Sequence, residues 1–400
     1  MFEKITARTK HYAQDIYDFA STLIQIESLS GDEERVAKCV EAKMHELGFD
    51  SVFLDEMGNV CGTIGHGKKL VCVDGHMDVV GNGDESQWSR APLSGDQDAE
   101  RIFGRGAADM KSAIAAMVYA GKVIKDLELT DDLTYMACAS VQEEPCEGLA
   151  WEYMIEERNL QPDFVILAEP SNDEISLAQK GRLELKIFVS GKSAHASTPH
   201  LGDNAIYKMA SIIKELEELS HNFEVEDPEL GKGCLVVSEV TSKTASRCSV
   251  ADYCEISIDR RLTWGESPEY ALGQITDLPA VKAAGARIEL YTFTDPSYTG
   301  KTCNKECIFP AWKLEKDHDV TTASVQAYEE LFGKKATLTT WPFSTNGVAI
   351  MGKHNIPVIG YGPGTLDACH VADEYVSKEQ VLHAAMMYAA IATTYTKNTL

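Results

Sequence analysis

Five places in the chain put histidine, aspartate or glutamate just after an apolar run or in a glycine-rich turn. They are His76 and Asp78 in VDGHMDVV, Asp109 in GRGAADMK, Glu143 and Glu144 in SVQEEPCEG, Glu169 in LAEPSN, and His370 in GPGTLDACH. Two imidazoles and several carboxylates, once brought together, suit a divalent metal of the zinc type. They outnumber the ligands of one tetrahedral shell, which points to two ions sharing a bridging aspartate. Each piece alone has a plain explanation. A lone His-x-Asp is usually solvated or hydrogen bonded, and adjacent glutamates usually mark a surface loop, since they repel unless a cation lies beside them. Asp109 before a helix is most simply an N-cap, Glu169 before Pro170 is turn chemistry, and His370 is a loop histidine. The joint pattern argues for a site where no single member does.

The elements that must position these groups are legible. KLVCVDG (69–75), LTYMACASV (133–141), DFVILA (163–168) and IPVIGYG (356–362) read as strands. Residues 32–47 read as a helix, capped by Ser30 and ended by Gly48. MKSAIAAMVYAGKVIKDL, residues 318–332 and KEQVLHAAMMYAAIATTY read as further helices. Alternating strands and helices predict a mainly parallel sheet covered on both faces. The carboxyl ends of such strands share one edge, where sites assemble. Near Gln179 the pattern changes. GRLELKIFVSG, NAIYKMASIIKELEEL, LVVSEVTSK, YCEISIDRRLT, SPEYALGQITDLPAVKAAG and ARIELYTF follow in the order β-α-β-β-α-β of a ferredoxin-like module. The expected organisation is an α/β catalytic domain in two parts, 1–178 and 295–400, with an inserted α+β domain at 179–294.

Composition narrows the function classes. Four hundred residues exceed one ordinary core. With 44% hydrophobic and 25% charged residues the chain is globular rather than disordered. Its net charge of −25 repels nucleic acid and anionic lipid, so neither is an expected partner. No apolar run reaches the ~18 residues of a membrane span. The charged start MFEKITARTKHYAQDIYDF lacks the apolar core of a secretion signal. Eleven scattered cysteines without a CxxC pair predict reduced thiols and a cytoplasmic location.

VDGHMDVV, GRGAADMKSAIAAM, QEEPCEG, LAEPS, SGKSAHAS…GDNAI and GPG…H, in this order, resemble the M20 family of metallopeptidases and amidohydrolases. Aminoacylases, acetylornithine deacetylase, succinyl-diaminopimelate desuccinylase and glutamate carboxypeptidases belong to it. The resemblance covers nearly the whole chain. WPFSTNG…GYGPG also resembles a branch called selenium-metabolism-linked hydrolases. The resemblance implies two divalent ions per chain, zinc foremost, with cobalt or manganese as alternatives. His76 and Glu169 would hold one, Glu144 and His370 the other, and Asp109 would bridge them. Asp78 would orient His76 through its other ring nitrogen. Glu143 would be the general base acting on the water between the ions. The inserted domain would be a lid that also forms a homodimer, and its His195 would stabilise the oxyanion. Arg261 in IDRR would grip a substrate carboxylate through its guanidinium fork, with Arg260 on the opposite strand face. His200 has no counterpart and reads as a surface residue.

Two departures fall at substrate contacts. Where many members carry Asn-x-x-Pro, this chain has Cys248 and Ala251. The Gly-Gly-Thr-Asp loop of relatives reads Ser344-Thr345-Asn346-Gly347, which makes Asn346 a candidate substrate contact. The implied reaction is hydrolysis of an amide in a small carboxylate-bearing molecule or short peptide. Glu169, rather than aspartate, at the variable ligand position favours an N-acyl amino acid deacylase or carboxypeptidase. A dipeptidase or aminopeptidase is the alternative. A non-catalytic binding protein on the same fold is more remote, since neither Glu143 nor a ligand is lost. A purely structural zinc would prefer a cysteine-rich shell.

Overall fold

A computed structural model describes residues 1–398. Its centre is a nine-stranded mixed sheet. Four neighbouring strands, Leu133–Ser140, Lys69–His76, Phe164–Leu167 and Val358–Gly360, run parallel. Antiparallel strands flank them, with Ser51–Leu54 and Val60–Ile64 on one side and Ile175–Gln179 with Trp312–Lys313 on the other. The parallel strands are buried on both faces, which explains their unbroken apolar sequence. Val71 and Val73 face one core, built largely with the helices Ala13–Ile24, Ser112–Asp126, Asp319–Phe332 and Lys378–Asn398. Cys72, between them, faces a second core with Trp151, Trp312 and Trp341. The period of two thus sorts one strand between two layers.

Residues beyond Gln179 build a separate antiparallel sheet. Its order is Cys234–Lys243, Tyr253–Leu262, Gly181–Ser190, Arg287–Leu290. The helices Ala205–His221 and Pro268–Thr276 pack on it around their own core, which includes Ile187, Met209, Ile212 and Ile256. In Gly181–Ser190 the odd positions from Leu183 to Val189 are buried while Arg182, Glu184 and Lys186 lie on the other face. The short strand Ile308–Phe309, past the expected boundary at 294, also joins this sheet by pairing with Gly181–Ser190. No helix among the described residues is long and apolar enough to cross a membrane.

Two local readings change. The first helix of the 32–47 segment runs Glu34–Glu46 without a side-chain cap, because the Ser30 hydroxyl donates instead to Asp78 at 2.7 Å. The helix after Asp109 begins only at Ser112, and the Asp109 backbone before it is extended at φ −129°, ψ 93°. Asp109 is therefore a loop residue free to face the sheet edge rather than an N-cap.

Candidate active site

The carboxyl edge of the parallel strands gathers the expected groups. His76 ends Lys69–His76, Glu143 and Glu144 follow Leu133–Ser140, and Glu169 follows Phe164–Leu167. Asp109 and His370 arrive on loops. His76 Nε2 lies 2.9 Å from Asp109 Oδ1 and 3.8 Å from Glu169 Oε1. His370 Nε2 lies 3.2 Å from Asp109 Oδ2 and 3.2 Å from Glu144 Oε1. Each oxygen of Asp109 thus faces a different imidazole, and each imidazole is backed by a further glutamate. Ligand atoms of His76, Asp109 and Glu144 lie within 4.8 Å of one another, as do those of His76, Glu143 and Glu169.

The main chain is bent to achieve this. Gln142, just before the glutamate pair, has φ +54°, and His370 has φ +60°. Both are left-handed conformations that non-glycine residues hold only where the surroundings enforce them. At Gln142 the enforcing contacts are visible. Its N–H donates to Glu33 Oε1 at 3.1 Å, while the N–H groups of Glu143 and Glu144 donate to the two oxygens of Asp78, each at 3.1 Å. Glu33 and Asp78 are both fully buried. Burial first, then the Asp78 charge, pushes Glu33 up to about 7. A second brace lies under Asp109. Glu374 Oε1 accepts the N–H groups of Ala108 and Asp109 at 2.9 and 3.1 Å, and its other oxygen pairs with the buried Arg105.

The electrostatics describe a cluster that demands cations. Burial, joined by the charges of Glu169, Glu147 and Glu144, raises Glu143 well above the usual carboxylate range, although His76 opposes the shift. Burial likewise raises Glu169. Burial disfavours a charged His76, yet its bond to Asp109 and the charges of Glu169 and Glu143 raise it well above a normal imidazole. Hydrogen bonds to Asp109 and Glu144 push His370 up to about 10. Burial would raise Asp109 too, but bonds from His370 and His76 hold it well below its ordinary value. Two imidazoles thus stand among four carboxylates, Asp109, Glu143, Glu144 and Glu169, an excess of negative charge that cations would offset.

The cluster opens into a cavity of about 360 Å³. Its lining also includes Arg182, Arg261, Glu147 and Ser344, with Phe343 and Leu366 as apolar residues.

The family model for peptidase family M20/M25/M40 matches residues 72–394. The chain belongs to that family. It is accordingly a metal-dependent hydrolase, within a family whose members include peptidases and desuccinylases. The protein YgeY of Escherichia coli strain K12 is 48% identical over 390 residues, covering 98% of this chain and 96% of that protein. The same fold appears in the M20 family metallo-carboxypeptidase Sso-CP2 of Sulfolobus solfataricus, at a TM-score of 0.75 and 18% identity, over 94% of this chain and 98% of that one. The YXEP protein of Bacillus subtilis, described as a dinuclear metal binding peptidase from the M20 family, superposes at a TM-score of 0.69 and 14% identity, over 98% of this chain and 100% of that one.

Within this M20 framework the structure differs from the sequence expectations at Asp78 and Asn346. Asp78 does not orient His76 through its carboxylate. His76 Nδ1 bonds the Asp78 main-chain oxygen at 2.9 Å, while the carboxylate stands 3.7 Å away. That carboxylate is instead occupied by Ser30 and the two loop N–H groups, because a fully buried anion must collect donors. Asn346 is not placed at the cavity. It is buried, donates to Asp74 Oδ2 at 2.8 Å and Ser140 Oγ at 3.2 Å, and accepts from Gly148 N at 2.8 Å. Its amide is fully spent on joining three segments, and its neighbour Ser344 lines the cavity in its stead. Arg261 does line the cavity, but its fork is engaged by Asp259 at 2.7 and 3.0 Å. Arg260 points the other way, buried against Glu266 and the Phe223 ring. His195 and His200 are both exposed. His195 shares a 2.7 Å bond with Ser197 Oγ and lies outside the cavity lining.

The sequence reading missed Arg182, Glu147, Glu374 and Arg105. Glu147 stands three residues after Glu144 and Glu374 four after His370, so both were near recognised motifs. Arg182 carried no signal, since alternation marks it only as a non-core position of its strand.

Proposed function

We propose that this chain hydrolyses the amide bond of a small carboxylate-bearing substrate, as an N-acyl amino acid deacylase or carboxypeptidase, using two divalent ions. The carrying observation is the Asp109 carboxylate, which offers one oxygen to each of two imidazoles that are separately paired with glutamates. In this reading His76 and Glu169 hold one ion, Glu144 and His370 the other, and Asp109 both. Zinc is the foremost candidate, and cobalt or manganese suit the same mixed nitrogen and oxygen donors. The donor set fits such ions. Its carboxylates outnumber its imidazoles, and divalent cations would offset that excess. Bound there, the ions would polarise the amide carbonyl and acidify a water molecule.

The protein's own groups do the rest. Glu143 has one buried oxygen, Oε1, with no partner, beside His76 and Glu169. It takes a proton from the attacking water and passes it to the leaving nitrogen. Its buried place beside His76 and Glu169 suits that role. The sheet built from residues 181–290 acts as the lid, within an inserted domain at 179–294. It brings His195 to the oxyanion and pairs with a second copy to form a homodimer. Arg261 leaves Asp259 to hold the substrate carboxylate. The irregular free cysteines fit a cytoplasmic enzyme.

Purified protein, assayed for metal content and then with a panel of N-acyl amino acids, dipeptides and aminopeptidase substrates, tests this reading. Two ions per chain and chelator-sensitive cleavage of N-acyl amino acids or C-terminal residues are expected. Cleavage confined to free-amine peptides would favour a dipeptidase or aminopeptidase. Activity that survives a strong chelator would reject the metal-based reading.

A further inference from the structure

A groove of about 580 Å³ shares no lining residue with the catalytic cavity. Helix periodicity builds it. Asp15, Asp18 and Phe19 share one face of Ala13–Ile24, Lys43 and Glu46 share one face of Glu34–Glu46, and Tyr119 comes from Ser112–Asp126. Three aromatic rings meet there, with Tyr119 centred 5.7 Å from Tyr12 and 6.4 Å from Phe19. The groove already holds one ammonium. Lys43 Nζ stands 5.4 Å from the centre of the Phe19 ring while paired with Glu46 at 2.7 Å. That cation answers one of three lining carboxylates. Asp18 accepts only amide N–H groups, from Gln14 at 2.8 Å and Gln97 at 3.0 Å, both on Oδ1. Asp15 makes no hydrogen bond or ion pair among the described residues. Arg8 and Lys122 do not line the groove and are both committed to Asp126.

The two tyrosines differ in one respect. The Tyr12 hydroxyl is spent on Asp126 at 2.5 Å. Tyr119 is only 3% exposed, yet its hydroxyl has no hydrogen-bond partner among the described residues. Burial, then the charges of Asp15 and Glu46, push that hydroxyl above the ordinary tyrosine range. It stays protonated, and its oxygen can accept a bond. Ring faces, surplus carboxylates and an unmet phenol oxygen are all answered by a cation that carries N–H groups. A quaternary ammonium would leave the phenol oxygen unmet, and an anion would add to the negative surplus. We propose that this groove is a second ligand site, specific for a short primary alkylammonium ion. The ammonium lies between Asp15 and the Tyr119 hydroxyl, and the alkyl chain lies on the apolar lining of Ala42 and Leu47. The site does not depend on the reaction at the metal-type cluster.

Calorimetry on the full chain tests this, with n-butylammonium as the probe and 1-butanol and tetramethylammonium as comparisons. The probe should bind roughly tenfold or more tightly than either comparison, the scale of a charge-assisted hydrogen bond. Tyr119→Phe keeps the ring, removes the acceptor and should weaken binding by about tenfold. Asp15→Asn should weaken it by about 2- to 5-fold, as for an exposed ion pair. Asp15 is exposed, so this variant keeps the test open if circular dichroism shows Tyr119→Phe misfolded. Glu3→Gln removes an exposed charge outside the groove and should leave binding unchanged. Binding of 1-butanol or tetramethylammonium as tight as that of n-butylammonium would overturn the proposal. So would affinity untouched by the groove variants, which would place the ion at the catalytic cluster or elsewhere on the acidic surface. Equal weakening by Glu3→Gln and Asp15→Asn would reduce the effect to net charge and overturn it as well.

Discussion

Asp78→Asn separates two explanations of the same residue. The carboxylate accepts from Glu143 N on one oxygen and from Glu144 N and Ser30 Oγ on the other. Asparagine has a single acceptor oxygen, so at least one buried N–H must face an amide NH2. One unmet buried donor costs about 1–3 kcal/mol. Part is recovered, because removing the Asp78 charge relieves the buried Glu33, whose carboxyl that charge helps raise to about 7. The expected net destabilisation is therefore at the lower end, about 1–2 kcal/mol. The larger effect falls on the glutamate pair. A displacement of Glu143 by about an ångström is enough to lower turnover by ~10². Metal content should stay near that of the wild type, since the His76 ring is held by the residue 78 main-chain oxygen, which the substitution keeps. The assays are the urea midpoint, metal content by elemental analysis, and kcat. Loss of one ion with an unchanged urea midpoint would refute this reasoning and restore the carboxylate as the group that orients His76.

Four further outcomes are expected. Glu143→Gln should keep both ions and lose about 10²–10⁴ in kcat, whereas Glu144→Gln should also bind metal more weakly; reversed metal contents would show the roles exchanged. Arg261→Ala should raise KM by about tenfold, the low end for a charged pair, because Asp259 already competes for the fork; amidating the substrate carboxylate should give a non-additive loss, and full additivity would remove the contact. Metal binding near neutral pH should release at least about two protons, since His76 and His370 are both raised and must be neutral to ligate. Affinity should accordingly rise with pH as His370 approaches its value of about 10, and calorimetry showing no proton release would mean that both imidazoles are already neutral before metal binds. Mixed dimers of His195→Ala and Glu143→Gln chains should regain activity if the exposed His195 acts across a dimer interface, and wild-type turnover by His195→Ala alone would remove it from the mechanism.

The metal-type residues were legible because parallel topology does the assembling. Once KLVCVDG, LTYMACASV and DFVILA are strands of one parallel sheet, their ends must lie together, and the chemistry of those ends is written in His76, Glu143, Glu144 and Glu169. The fate of a polar atom is a different matter. Asp78 lies two residues from His76, so spacing places both on one side of the chain. It does not say that the main-chain oxygen at 78 will take the ring nitrogen while the carboxylate takes a loop from 65 residues away. Ser30 looks like a cap for the same reason that it serves Asp78: a hydroxyl satisfies whichever buried acceptor the fold brings nearer. Asn346 illustrates the converse. Its position beside a substrate loop was readable, but its three partners come from Asp74, Ser140 and Gly148, on segments that only the folded sheet brings together.

These particulars converge on the loop 142–147. Glu33 and Asp78 fix its start, and Arg182 and Ser344 fix its end. Between those anchors lie the proposed base and a proposed ligand. Arg182 belongs to the second sheet, and Asp78 follows the strand Lys69–His76 of the first, so the loop is tied to both. The placement of the proposed base beside the proposed ligands is in this way set by the contacts of one short segment with both sheets.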